Sequence, residues 1–196
     1  MDSMSTTSPR RRDAAATREA ILASAIRHFA RAGYDGVGVR EIAGDAGVTA
    51  MLVNRYFGSK EQLFIEAVDV SFAPGVFITE DSQSLTRDAA TILVSRSASD
   101  ANEVAPFLIM LRSASNPRAT EIVREAIERH VGRRLSSRLP EPGARLRSDV
   151  MLSVISGVLL MRRVVGAGAM NRRTAPDQLA TLLEAVFDAI VETPVN

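Results

Sequence analysis

The stretch VREIAGDAGVTAMLVNRYF, Val39 to Phe57, holds two short helix-compatible runs cornered on a single glycine. Helices this short are marginal in water by themselves, so the pair must pack on each other and on something larger. Ile42, Ala43 and Ala46 predict an inward face for a helix over Val39–Ala46, and Gly47 stops it. Thr49 is a capping side chain for a second helix over Ala50–Tyr56. Ala43 leaves room where the second helix crosses the first, and Gly47 tolerates the positive φ of a tight corner. Val48 and Val53, with Leu52 beside them, face back toward the first helix. The opposite side of the second helix, with Thr49, Ala50, Met51, Asn54 and Arg55, is left facing outward.

The rest of the chain is also helical in pattern. Residues 1–16 are polar and rich in Ser, Thr and Arg, a composition expected to be disordered. From Thr17, a good N-cap, apolar residues fall at Ile21, Leu22, Ala25, Ile26 and Phe29, and Gly33 ends the run. His28 sits on the edge of that stripe as a packing histidine. Ser59 and Gln62 read as a capping box opening a helix through Leu63, Phe64, Ala67 and Val68, closed by Pro74-Gly75. Further helices fit Leu85–Ser97, Glu103–Ser113, Pro117–Leu139, Ala144–Ala167 and Pro176–Glu192; Asn116 before Pro117 is a start signal. Pro140, Pro142 and Gly143 break the chain between two of them. No stretch alternates with period two, so the expected fold is all-α, with about nine helices.

Composition removes several function classes. Without cysteine there is no disulfide, thiolate metal site or thiol chemistry, and two histidines argue against a histidine-rich metal site. No nucleophile stands with an evident base. Glu121, Glu125 and Glu128 recur at helical spacing, which reads as a solvated face paired with Arg124 and Arg129. We therefore expect no enzyme, no metal and no cofactor. The N-terminus lacks the apolar core of a signal peptide. Arg162 and Arg163 interrupt the one apolar run, Val150 to Met170, at a cost of about 2.5–3.5 kcal/mol each at a bilayer centre. A cytosolic protein with no membrane partner is expected. Residues 1–60 carry nine basic and six acidic side chains, against 15 and 17 in the remainder. The basic excess lies at the end that carries the paired helices, as expected if that end meets phosphate.

Outward side chains at the start of a second helix are what a helix-turn-helix uses to meet base edges. The longer segment TREAILASAIRHFARAGYDGVGVREIAGDAGVTAMLVNRYFGSKEQLF, Thr17 to Phe64, resembles the TetR family of transcriptional regulators in the order of its parts: helix, GYD loop, R-x-I-A, AGV turn, aromatic pair and S-K-E. The resemblance implies a basic arm at 1–16, a helix-turn-helix DNA-binding domain at 17–64 and an effector-binding, dimerising domain at 65–196. It implies a homodimeric repressor on a palindromic double-stranded DNA operator, released by a small molecule. Thr49 to Arg55 would enter the major groove, and Tyr56 and Lys60 match positions that contact phosphates. Lys60, the single lysine, also stands at a helix N-terminus, where the dipole favours an anion. Arg40 either contacts the DNA backbone or closes an intramolecular salt bridge, and Arg10, Arg11 and Arg12 form either a minor-groove arm or a solubilising tail. Two departures stand out. Gly38 replaces the usual capping hydroxyl, and Asn54 and Leu52 replace the usual Tyr and Ser/Thr. Asn reads adenine through two hydrogen bonds, so Asn54→Ala is expected to weaken binding at one operator position; equal weakening at every base pair would discard that idea.

The C-terminal helices carry two further expectations. Leu179, Leu182, Leu183, Val186, Phe187 and Ile190 form one stripe of the last helix, and the helix before it is apolar all round. Ser153, Ser156 and Gly157 are small enough to let a partner approach closely, Leu160 is expected in the same interface, and the resemblance implies a four-helix dimer interface. A pocket is expected among Phe72, Phe77, Leu93, Phe107, Met110, Leu111, Met151 and Ile155, because the middle region supplies Phe and Met on several helices. Few polar groups lie there, so the effector should be apolar or amphipathic. Arg112, Arg162 and Arg163 are either anchors for an acidic group or members of surface salt bridges.

Overall fold

The computed structural model describes residues 9–73, 84–98, 101–172 and 176–195, and every regular element among them is helical. In chain order these are α1 (Pro9–Ala32), α2 (Val39–Asp45), α3 (Ala50–Phe57), α4 (Lys60–Phe72), α5 (Leu85–Ala98), α6 (Ala105–Ser113), α7 (Pro117–Ile127), α8 (Arg133–Ser136), α9 (Ala144–Leu159) and α10 (Pro176–Glu192). A π turn, Glu128–Gly132, joins α7 to α8 in one rod, and a second, Leu160–Val165, prolongs α9. The all-α reading holds.

Capping chemistry explains the starts of α3, α4 and α7. Thr49 Oγ1 accepts from Leu52 N at 3.3 Å, Ser59 Oγ from Gln62 N at 3.1 Å, and Asn116 Oδ1 from Ala119 N at 2.9 Å. Each fills one of the orphan donors of a first turn. The start of α1 differs from the expectation. It begins at Pro9 rather than Thr17, so residues 9–16, expected to be disordered, are helical. Ala14, Ala15 and Ala16 are the best helix formers, and Thr17 Oγ1 donates to Asp13 O at 2.7 Å inside a continuous helix instead of capping one. The side chains of Arg10, Arg11 and Arg12 lie outside the described residues.

Packing produces two buried clusters. The first draws Ile21, Ala25 and Phe29 of α1 together with Ile42, Val53, Phe57, Leu63 and Phe64, and continues into Ile109 of α6 and Ile122 of α7. Phe29, Tyr34 and Phe64 form an aromatic knot, with the Phe64 ring edge-on at 4.9 Å to each of the others. The C-terminal end of α1 is fastened to α6. Gly33, at φ +73°, sits where a Cβ would lie 2.1 Å from Arg112 O, and Tyr34 N donates to Ser113 Oγ at 3.0 Å. The second cluster combines Leu93 of α5, Phe107 of α6, Met151, Ile155 and Leu159 of α9, and Leu183 and Phe187 of α10.

Two arginines are buried without a carboxylate partner among the described residues. Arg147 donates to the carbonyls of Pro140, Pro142, Ile190 and Thr193, which ties the negative end of α10 to the loop before α9. Arg162 donates to Val94 O at 3.0 Å, to Ser97 Oγ and to Asn171 Oδ1. Burial, and secondarily the charge of Arg163, pulls its pKa below the ordinary guanidinium value. No helix among the described residues is long and apolar enough to cross a membrane.

Candidate functional site

The corner at Gly47 has φ +69°, and Val48 N donates to Ala43 O at 2.9 Å across it. α2 is held against α1 by polar contacts. Asp45 Oδ2 lies 2.8 Å from Ser24 Oγ and 2.5 Å from Arg27 Nη2, and His28 Nε2 stands 3.7 Å away. The Arg27 hydrogen bond, then that of Ser24, holds the Asp45 carboxyl below its usual range. His28 thus packs as expected, at the junction of α1 and α2. In place of a capping hydroxyl, Gly38 N donates to Glu41 Oε2 at 2.7 Å.

This scaffold leaves α3 with one side in the core, through Val53 and Phe57, and the other free. Met51 is 81% exposed, and Arg40, Thr49, Asn54 and Arg55 are exposed beside it. Ala50 and Tyr56 are half-buried against the first cluster. Arg40 and Arg55 enter no ion pair among the described residues, so the salt bridge considered for Arg40 is not formed there. Lys60 is steered by a residue that the motif reading overlooked: its Nζ lies 4.6 Å from the centre of the Tyr34 ring. Burial, followed by the nearby Glu61 and Asp35 charges, raises the Tyr34 pKa, so its hydroxyl stays protonated. The tyrosine of the GYD loop was the available signal.

A second feature is a cavity of about 70 Å³ between α4, α6, α7 and α9. Phe72, Phe107, Met110 and Ile155 line it, joined by Val104, Ile127, Val131, Leu152 and Leu159. Leu93 and Met151 do not; both are fully buried in the second cluster, and Leu111 packs against that cluster too. Helical phase is the reason for Leu111 and Met151, which lie on lining helices but point into the core behind the wall, whereas Leu93 lies on α5, which contributes no described lining residue. Phe77 lies outside the described residues. Arg112 and Arg162 are spent on backbone carbonyls and line no part of the wall. Glu103 does. The acidic face of α7 is solvated as expected but pairs differently, Glu121 with Arg118, Glu128 with Arg145, and Arg129 with Asp69.

The third feature is an uncovered apolar strip. Along α9 and its π extension, Leu146, Val150, Ser153, Gly157, Met161 and Val164 are exposed at spacings of three and four, and Leu182 and Val186 continue the strip on α10. Leu183 and Phe187, expected in an interface, are 5% and 0% exposed and belong to the subunit's own core. Leu179 and Ile190 pack partly against it, and Leu160 is half-buried. The last helix has two apolar faces, and its i, i+4 pairs divide between them.

Comparison with known proteins agrees with this arrangement. Residues 21–67 match the family described as bacterial regulatory proteins, tetR family, and residues 85–191 match the tetracyclin repressor-like C-terminal domain. The chain belongs to the TetR family. It is a transcriptional regulator of that family, with the family's helix-turn-helix unit followed by its helical C-terminal domain. The HTH-type transcriptional regulator BetI of Agrobacterium fabrum is 41% identical over 51 residues, a segment covering 26% of this chain and only 25% of BetI. Among solved structures, Salmonella enterica GusR aligns with TM-score 0.71 at 17% identity, covering 96% of this chain and 99% of GusR. The multidrug binding protein EbrR complexed with ethidium aligns with TM-score 0.68 at 19% identity, covering 91% and 99%. Both likenesses are of fold.

Proposed function

We propose that this TetR-family regulator is a cytoplasmic, homodimeric repressor that holds a palindromic operator through α3 and releases it when a small apolar or amphipathic molecule occupies the cavity. Residues 17–64 serve as the DNA-binding unit and 65–196 as the sensing and dimerising unit, without catalysis. The observation that carries this reading is the separation of two unsatisfied surfaces. One is polar and cationic, around Asn54, Arg55 and Lys60; the other is apolar, on α9 and α10. A duplex satisfies the first and a second copy of the chain satisfies the second. Two recognition helices about 34–36 Å apart then read symmetric half-sites.

Release follows from α4, which reaches both regions. Lys60 begins it at the DNA side and Phe72 ends it in the cavity wall, about 18 Å along the axis. A ligand that displaces Phe72 alters the spacing of the recognition helices and so favours a state with lower operator affinity. The structures of EbrR with ethidium and with proflavin support a ligand-binding role for this fold. Selection of bound duplexes from a random pool, with sedimentation of the free protein, tests the proposal. An inverted repeat and a dimeric mass are expected. Indifference to DNA at low ionic strength, or a monomer at micromolar concentration, refutes it.

A further inference from the structure

We infer that the cavity accepts a singly charged cationic amphiphile, with Glu103 as the group that neutralises it. The inference rests on the proposed reading of the cavity as an effector site and goes on to name the ligand's charge. Ten of the twelve described lining residues are apolar, which leaves Glu103 and Ser156 as the described polar side chains facing a ligand. Glu103 is the single ionisable side chain among them, and it is a carboxylate. An anion entering this slot would lose its water and meet a like charge, a combination that strongly disfavours it. A cation would lose the same water and gain a counter-ion.

Glu103 is available for that role. Among the described residues its one ion pair is with Arg96, at 3.6 Å, which is beyond hydrogen-bond length, and its side chain is about half exposed. Exposed pairs of this kind contribute about 0–1 kcal/mol, so a ligand cation can take the place of Arg96 at little cost. The rings of Phe72 and Phe107 and the thioether of Met110 add polarisable surface suited to a quaternary or aromatic cation. The cavity also borders both π turns, Val131 lying in the first and Leu159 just before the second. Such turns recur at functional sites. One carboxylate among the described lining residues matches one positive charge on the ligand.

Calorimetric titration with three probes of one skeleton, octyltrimethylammonium, octanol and octanoate, tests the inference. The cation should bind about threefold to fivefold more tightly than octanol, with octanoate weakest. Glu103→Gln should erase the cation's advantage and leave octanol within about twofold, while Arg96→Gln, which frees Glu103, should strengthen the cation about twofold. Met110→Trp should weaken all three probes by filling the cavity. Tighter binding of octanoate, a cation preference that survives Glu103→Gln, or no binding of any probe overturns the inference. The same probes added to protein on its selected operator separate the two readings. Release without charge preference keeps the effector role and removes the cation; charge-selective binding without release keeps the cation and removes the effector role.

Discussion

The two buried clusters are built alike, from amphipathic helices around aliphatic side chains, yet they present opposite surfaces to water. The first is closed by the Phe29–Tyr34–Phe64 knot, and around it α2 and α3 expose Arg40, Asn54 and Arg55. The second keeps Met151, Leu183 and Phe187 inside and still leaves Leu146, Val150, Met161, Leu182 and Val186 in contact with water. Polar groups outside a core are content in water. A continuous apolar strip is not, and such a patch marks an interaction surface. The difference supports the proposed division: the first end keeps charges open to a polyanion, and the second keeps an apolar strip open to a protein surface.

The largest effect should come from the seam between the two ends. Gly33→Val forces a branched side chain into positive φ and against Arg112 O, and should lower unfolding free energy by about 3 kcal/mol or more in urea titration. An unchanged midpoint would mean that α1 and α6 are not locked there. Next, Leu182→Asp with Val186→Asp should leave the urea midpoint nearly unchanged while weakening self-association by about 2 kcal/mol or more. A loss of folding in that variant, rather than of dimer mass, would show that the strip belongs to the subunit's own core. Smaller again, Arg55→Ala and Lys60→Ala should each reduce the salt slope of operator binding by about one, with no change in dimer mass. A slope equal to that of the unaltered protein would take the residue off the DNA face.

The smallest effect concerns Asp69 of α4, which contacts His130 at 2.7 Å and also pairs with Arg129. The His130 hydrogen bond holds the Asp69 carboxyl below its usual range. Its contribution is thus present above about pH 4 and is lost as pH falls through the lowered folded-state value. Because both partners are partly exposed, Asp69→Asn should cost less than about 1 kcal/mol at pH 6, and the difference should shrink steadily as pH falls below about 4. Destabilisation that does not change with pH would show that charge is not what joins α4 to the π turn.

Legibility in sequence follows the range of the interactions. The caps Thr49, Ser59 and Asn116, the corner at Gly47 and the outward side of α3 were all readable, because each depends on residues within a few positions. Thr17 misled because a competing local effect, the preceding alanines, carried the helix through it. The strip on α9 was half-legible: a helix apolar all round must be covered on both sides, but its pattern alone does not say which side is which. That is why Leu183 and Phe187 were expected outward with Leu182 and Val186. Lys60 over Tyr34 joins positions far apart in the chain, and only the GYD loop hinted at it.

Sequence by itself thus determined where the capped helices α3, α4 and α7 begin, that the chain is all-α, and that one short helix near its start turns a polar side outward. Tertiary structure decided which face of α9 and α10 is left uncovered, that α6 and α7 share the first core with α1, and that the cavity carries Glu103 rather than an arginine. Periodicity fixes the angle between side chains on one helix, whereas the rotation of that helix against its neighbours is set by packing among residues dozens of positions apart.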